Sequence, residues 1–146
     1  MKIYLDVCAI QRPLDSVTQL RVALEAEAVL GILALCESGQ VEIVSSDALV
    51  YETEQNPWPL RKEHALAVLS RSVEHIRLTE RIEQRAQDLD RQSFKPLDAL
   101  HLAMAEAGNV DYFCTCDDRL LKKAQQTKDL RVKVVFPLDL VKELEK

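Results

Sequence analysis

Apolar and polar positions along the chain follow two periods, and their alternation lays out the elements. Lys2–Val7 alternates with period two, with Ile3, Leu5 and Val7 on one side and Tyr4, Asp6 and Cys8 on the other, which predicts a short buried first strand. The QRPLD turn (Gln11–Asp15) interrupts it. Val17–Glu37, rich in Ala and Leu, predicts a long helix with Gly39 near its C-cap. Val41–Ser45 reads as the second strand, and Ser45 or Ser46 can cap a short helix running through Glu54. Asn56-Pro57-Trp58-Pro59 breaks that helix. Leu60–Ser70 resumes one, with Leu66 and Leu69 inward, and His75–Leu78 is a brief strand or an extended connection. Thr79 can cap a helix over Glu80–Arg91. Pro96 opens a helix that ends at Ala107 before Gly108-Asn109. Asp111–Thr115 predicts a strand, and Asp117–Gln126 a helix with acids first and lysines late, as the macrodipole favours. Arg131–Phe136 is the last strand, and Pro137 opens a terminal helix through Glu145.

Strands alternating with helices, on connections long enough for parallel crossovers, imply an α/β fold: a parallel sheet of four to five strands covered by helices. The length of 146 residues fits one domain, 1–146, with a substantial core. Ligands of such sheets sit outside the carboxyl ends of the strands. Asp6 lies near the end of the first strand and Asp117 just past the Asp111–Thr115 strand. If both strands are central, the two carboxylates meet at that edge.

Composition adds exclusions. With 47% hydrophobic and 29% charged residues, the chain is ordinary for a soluble domain, and its apolar runs fall far short of a membrane span. A strand pattern begins at once, with no signal peptide, so the expected location is cytoplasmic. The net charge of −5 argues against nucleic-acid binding by bulk attraction, though not against a nuclease whose site is acidic because it holds cations. The spacing of Cys8, Cys36, Cys114 and Cys116 matches no zinc signature, so these thiols are expected to be reduced and buried.

One stretch carries the chemistry. In Lys95–Ala107 (KPLDALHLAMAEA) the helix is apolar nearly all round, which predicts burial, yet Asp98 stands at its start. A buried carboxylate neutralises, pairs or binds a metal; the milder alternative is that Asp98 only faces the helix dipole. Asp6, Glu52 and Asp117 join it as candidates, with Asp118 adjacent. Asp6 could instead be a turn residue, Glu52 a solvated helix residue and Asp117 an N-cap. Carboxylates sharing a cleft repel one another, and only Arg12, Lys95 and Arg119 are close in sequence. Mg²⁺ or Mn²⁺ is the natural compensator, able to lower the pKa of a water and to orient a phosphate.

At YLDVCAI, SSDALVYETE, KPLDALHLA and FCTCDDRLL the chain resembles the PIN-domain family, which includes the VapC-type toxins of toxin–antitoxin pairs. The resemblance runs from Met1 to about Phe136. It implies a three-layer α/β/α sandwich, Mg²⁺ or Mn²⁺, and hydrolysis of RNA phosphodiesters, with a small antitoxin protein and a homodimer as partners. Mapped here, Asp6, Glu52, Asp98 and Asp117 would be the catalytic, metal-binding acids and Asp118 an auxiliary ligand. Thr115 would be the polar support and a contact to the substrate. Val7-Cys8 stand where many members carry Thr-Asn or Ser-Asn after the first Asp. Glu52 is preferred to its neighbour Glu54, which points to a different helix face.

Other residues carry weaker expectations. His101, three positions after Asp98, is expected to be packed near the acids. Arg12 could reach a phosphate or pair with Asp15. Trp58 is expected in core or interface packing, and Lys122-Lys123 at a solvated helix end. The favoured reading is a metal-dependent endoribonuclease; the rivals are a non-catalytic RNA- or protein-binding module of the same fold, and a phosphoacceptor domain, which is disfavoured because the last strand lacks a lysine placed like the phosphate-binding one of such domains, though Lys133 lies nearby.

Overall fold

The structure is a computed structural model that describes residues 1–145, so Lys146, the last residue of the expected domain, lies outside the described residues. Five strands form one wholly parallel sheet in the order β3-β2-β1-β4-β5: β1 (Lys2–Leu5), β2 (Glu42–Ser46), β3 (Glu74–Ile76), β4 (Tyr112–Cys114) and β5 (Lys133–Val135). Eight α-helices accompany them: α1 (Val7–Gln11), α2 (Leu20–Glu37), α3 (Asp47–Glu54), α4 (Pro59–Leu69), α5 (Glu80–Arg91), α6 (Pro96–Ala107), α7 (Asp118–Gln125) and α8 (Pro137–Leu144). The chain moves outward from β1 to β2 and β3, then returns past β1 to β4 and β5. Right-handed crossovers therefore leave helices on both faces. α2 packs on α8, and α5 packs on α6. This is the α/β sandwich expected from the sequence, with the strand count at five.

The order reverses at β1, so the crevice between the carboxyl ends of β1 and β4 is the place where such a sheet binds ligands. The register Leu5↔Cys114 sets Asp6 and Thr115 side by side at that edge. β1 is buried on both faces, with Ile3, Tyr4 and Leu5 inaccessible, as a central parallel strand requires.

Local chemistry shifts several boundaries. The first strand ends at Leu5, not Val7, because Asp6 adopts extended backbone and accepts the Val7 N–H on its own carboxylate. Its carbonyl accepts the Ala9 and Ile10 N–H groups, so the chain turns into α1, an element not expected, and the expected break in the QRPLD stretch follows it as a 3-10 turn over Arg12–Leu14. The long helix starts at Leu20 rather than Val17, and no side chain caps it. Ser46, the second of the two serines weighed, caps α3 by accepting the Leu49 N–H. Thr79 caps α5 as expected. Gly39 has φ +80, the left-handed conformation that glycine tolerates best at the end of a helix. Among the described residues, no helix is long and apolar enough to cross a membrane. All four cysteines are free thiols: Cys114 and Cys116 are buried, Cys8 and Cys36 half-buried.

Candidate functional site

Asp6 is the best-held of the candidate acids. It is 7% exposed, and its Oδ2 accepts the Thr115 hydroxyl at 2.8 Å while its Oδ1 accepts the Val7 N–H at 2.9 Å. The Cys8 thiol lies 3.3 Å from the same Oδ2, so sulfur makes a long, weak contact beside this carboxylate. Burial pushes the Asp6 pKa up, and the Glu52 charge adds to the rise, against His101 and the Thr115 hydrogen bond. Thr115 is fully buried; its hydroxyl also accepts the Asp117 N–H at 3.1 Å and so ties the first acid to the last. Its place is behind the carboxylates, holding Asp6.

Asp117 is an N-cap, as the alternative reading had it: its Oδ1 accepts the N–H groups of Arg119 and Leu120 at the start of α7. Both bonds use one oxygen. Asp98, in the first turn of α6, takes no hydrogen bond and no ion pair among the described residues. Its pKa is raised from 3.8 to about 6, first by desolvation and then by the charges of Asp6 and Asp117, with His101 and Lys95 opposing. Asp98 and Asp117 share a groove of about 190 Å³ whose lining includes Lys95, Arg119 and Lys123. Asp98 thus lies close enough to Asp6 and Asp117 to feel the charge of both.

Glu52 reaches the same region from α3. Its Oε1 lies 2.7 Å from His101 Nε2, and Asp6, Glu52 and His101 each bring a ligand-capable atom within 4.8 Å of one another. Glu54, two residues on, is exposed. His101 is buried near the acids as expected, but as part of a hydrogen-bonded chain through Tyr4 and Ser46 that the sequence reading missed. Nothing local marks that chain, because Tyr4 and His101 are 97 residues apart.

The remaining candidates are placed differently. Both oxygens of Asp118 are held by Arg21, at 2.8 and 2.9 Å, and this pair holds the Asp118 pKa below the usual carboxylate range. Arg12 forms ion pairs with Asp15 (2.9 Å) and with the buried Glu25 (3.1 Å), a network the sequence reading saw only in its Asp15 half. Trp58 is 66% exposed, so it is not in the core. Lys133 pairs with Glu143 and lies over the Tyr112 ring, and so is not the phosphate-binding lysine that a phosphoacceptor site needs.

Comparisons with known proteins agree with this architecture. The family model described as "PIN domain" matches residues 3–126. No curated protein matches the chain. Among solved structures, a chain from the crystal structure of VapBC2 from Rickettsia felis, bound to a DNA fragment from their promoter, superposes with a TM-score of 0.58 at 15% identity, covering 93% of this chain and 98% of that one. PAE2754 from Pyrobaculum aerophilum superposes with a TM-score of 0.59 at 18% identity, covering 99% of this chain and 98% of that one. At such identities the structural likeness speaks for the fold, whereas the family match spans most of the sequence: the chain belongs to the PIN-domain family.

Proposed function

We propose that the protein is a metal-dependent endoribonuclease that hydrolyses RNA phosphodiester bonds, and the toxin of a toxin–antitoxin pair. One observation carries the reading. The buried acids Glu25 and Glu106 are each held by arginines, whereas among the described residues the buried Asp6 and the half-buried Asp98, at the carboxyl edge of the sheet, pair with none. Carboxylates left to repel one another, beside Glu52 and Asp117, call for a cation the chain does not supply.

The donor set fits a hard divalent ion. Asp6, Glu52, Asp98 and Asp117 would hold it, all through carboxylate oxygens, which suit Mg²⁺ or Mn²⁺. Asp118, engaged by Arg21, is left out of this set. When bound, such an ion lowers the pKa of a water and neutralises charge on phosphoryl oxygens. The protein's own contribution is position. Thr115 and the Val7 N–H fix the Asp6 carboxylate, and the N–H groups of Arg119 and Leu120 fix Asp117. Lys95, Arg119 and Lys123 flank the groove, the local positive groups through which a chain of net charge −5 would receive a phosphate backbone. A small antitoxin partner and a homodimer belong to this reading. Support for the antitoxin comes from the VapBC2 complex, whose fold the chain shares.

Cleavage of labelled RNA (a tRNA pool and an unstructured oligomer) in Mn²⁺, Mg²⁺ and EDTA tests the activity. Metal-dependent cutting is expected, abolished by EDTA and lowered at least about 100-fold by Asp98→Asn, since the lost charge stabilisation amounts to several kcal/mol. Equal activity of wild type and variant, or inertness of both at every metal concentration, would overturn it.

A further inference from the structure

Behind the carboxylates, side chains from four elements form one line of hydrogen bonds. The Leu49 N–H donates to Ser46 Oγ at 3.1 Å; Ser46 Oγ lies 2.7 Å from the Tyr4 hydroxyl oxygen; that oxygen lies 2.6 Å from His101 Nδ1; and His101 Nε2 lies 2.7 Å from Glu52 Oε1. Ser46, Tyr4 and His101 are buried, so water does not share the bonds among these three. Tyr4 is held by stacking on Phe113, with ring centroids 5.0 Å apart, and the His101 ring stands edge-on to Tyr4 at 5.7 Å.

The hydrogens can be counted. An ionised carboxylate only accepts, so Nε2 must carry the hydrogen it shares with Glu52. In the neutral ring Nδ1 is then bare and accepts the Tyr4 hydroxyl, whose oxygen accepts from Ser46. In the imidazolium the line runs the other way: Nδ1–H donates to Tyr4, and Tyr4 donates to Ser46. With the neutral ring every donor on the line finds an acceptor, whereas in the imidazolium the Ser46 hydroxyl hydrogen has none on it; Nε2–H faces Glu52 in both. The other neutral tautomer would set two lone pairs against each other at 2.7 Å.

We propose that His101 is a positioning residue of the acid site: its Nε2–H holds the Glu52 carboxylate beside Asp6, and Tyr4 and Ser46 hold the ring in the orientation that makes this bond. The proposal rests on the nuclease reading. Glu52 needs such help. It is partly exposed, on a short helix, and its long side chain otherwise samples many rotamers. Asp6 and Asp117, by contrast, are fixed by backbone N–H groups. His101 acts through Glu52 and not as a ligand, because its outward nitrogen is taken by the Glu52 oxygen.

Two measurements decide it. The first is ¹⁵N NMR of the His101 ring in metal-free protein. Protonated Nε2 is expected, persisting as Mg²⁺ is added, and Tyr4→Phe should remove the fixed ring state. A bare Nε2 in metal-free protein, or an Nε2 that loses its hydrogen when Mg²⁺ is added, overturns the proposal. The second is calorimetry with Mn²⁺. His101→Leu is expected to weaken binding about 10- to 100-fold, as loss of a ligand-orienting partner does. His101→Gln, whose amide can donate in the same place, should recover part of the loss, and Glu52→Gln should add little in the His101→Leu background. Additive losses, or no recovery with Gln in a protein that still melts cooperatively, overturn it. A wild type that binds no Mn²⁺ overturns the nuclease reading instead, and the NMR result alone then judges the clamp.

Discussion

Helix α6 carries two acids, and the molecule treats them in opposite ways. Near its C-terminal end Glu106 is buried, and its two oxygens accept from Arg85 Nε (2.7 Å), Arg85 Nη2 (3.0 Å) and the Arg131 N–H (2.8 Å). Arg85 is held in turn by Asp88 and Asp129. Near the N-terminal end Asp98 has neighbouring carboxylates and no hydrogen-bond partner among the described residues, and its pKa rises to about 6. One charge is neutralised from within and belongs to the fold. The other is left without an internal ion pair at the edge where sheets of this kind bind ligands, and the proposed metal site gives it a role. Glu106 is buried and Asp98 half-buried, but the sharper difference is the built-in cation.

The largest effect should come from breaking the compensated end. Arg85→Met leaves the buried Glu106 charge with only the Arg131 N–H and the exposed Arg131 guanidinium 3.5 Å away. Removing one partner of a buried pair costs about 3–5 kcal/mol, which lowers the melting temperature by roughly 10 °C for a chain of this size. Arg85→Met with Glu106→Leu should restore most of that, because an apolar pair no longer buries a lone charge. Thermal melts in EDTA check it. A single variant that melts like wild type would mean that the α5–α6 packing, not the ion pair, holds this end.

The uncompensated end should show itself in pH dependence. Asp98 in the folded protein binds its proton more tightly than in the unfolded chain, its pKa standing at about 6 against 3.8. Between about pH 4 and 6 the native state therefore holds more protons than the unfolded state, and stability falls as pH rises through that window. Allowing for its partial exposure, the loss is about 1–2 kcal/mol. Asp6, also shifted upward, adds in the same direction. Urea denaturation in EDTA from pH 4 to 7 measures the slope. Asp98→Asn should flatten it and leave the variant more stable than wild type near neutrality, and saturating Mn²⁺ should flatten it in the wild type. A slope that Asp98→Asn leaves unchanged would mean that Asp98 is not its source.

The same contrast marks what the sequence could show. Asp98 was legible because one charge opening an apolar helix is a local anomaly, and Asp6 because a charge ending a buried strand is another. The strand–helix alternation gave the fold class for the same reason, through periods that span a few residues each. The end of β1 was not legible: Val7 continues the period-two pattern of Ile3 and Leu5, and only the Asp6 cap turns the chain into α1. Nor were the partners that decide each acid's role. Arg85 meets Glu106 across 21 residues and Tyr4 meets His101 across 97, and neither pairing leaves a spacing in the chain. Arg12 and Asp118 were grouped with the site by nearness in sequence to Asp6 and Asp117. In the fold, Glu25 and Arg21 of α2 engage them instead.

The smallest effect should be at Asp118, and it sharpens the comparison because Asp118 stands one residue from Asp117. Its charge is solvated, and both its oxygens are taken by Arg21, itself 43% exposed. Exposed ion pairs contribute little to stability, and a carboxylate already held by a guanidinium has no need of a metal. Asp118→Asn should therefore leave the melting temperature and the metal-dependent cleavage rate near wild type, within about twofold for the rate, while Asp117→Asn loses cleavage as Asp98→Asn does. Parallel RNA assays and Mn²⁺ titrations of the two variants make the test. Should Asp118→Asn lose metal affinity as steeply as its neighbour, a compensating arginine would no longer separate structural acids from functional ones, and Arg21 would have to be regarded as a partner that gives way when the ion arrives.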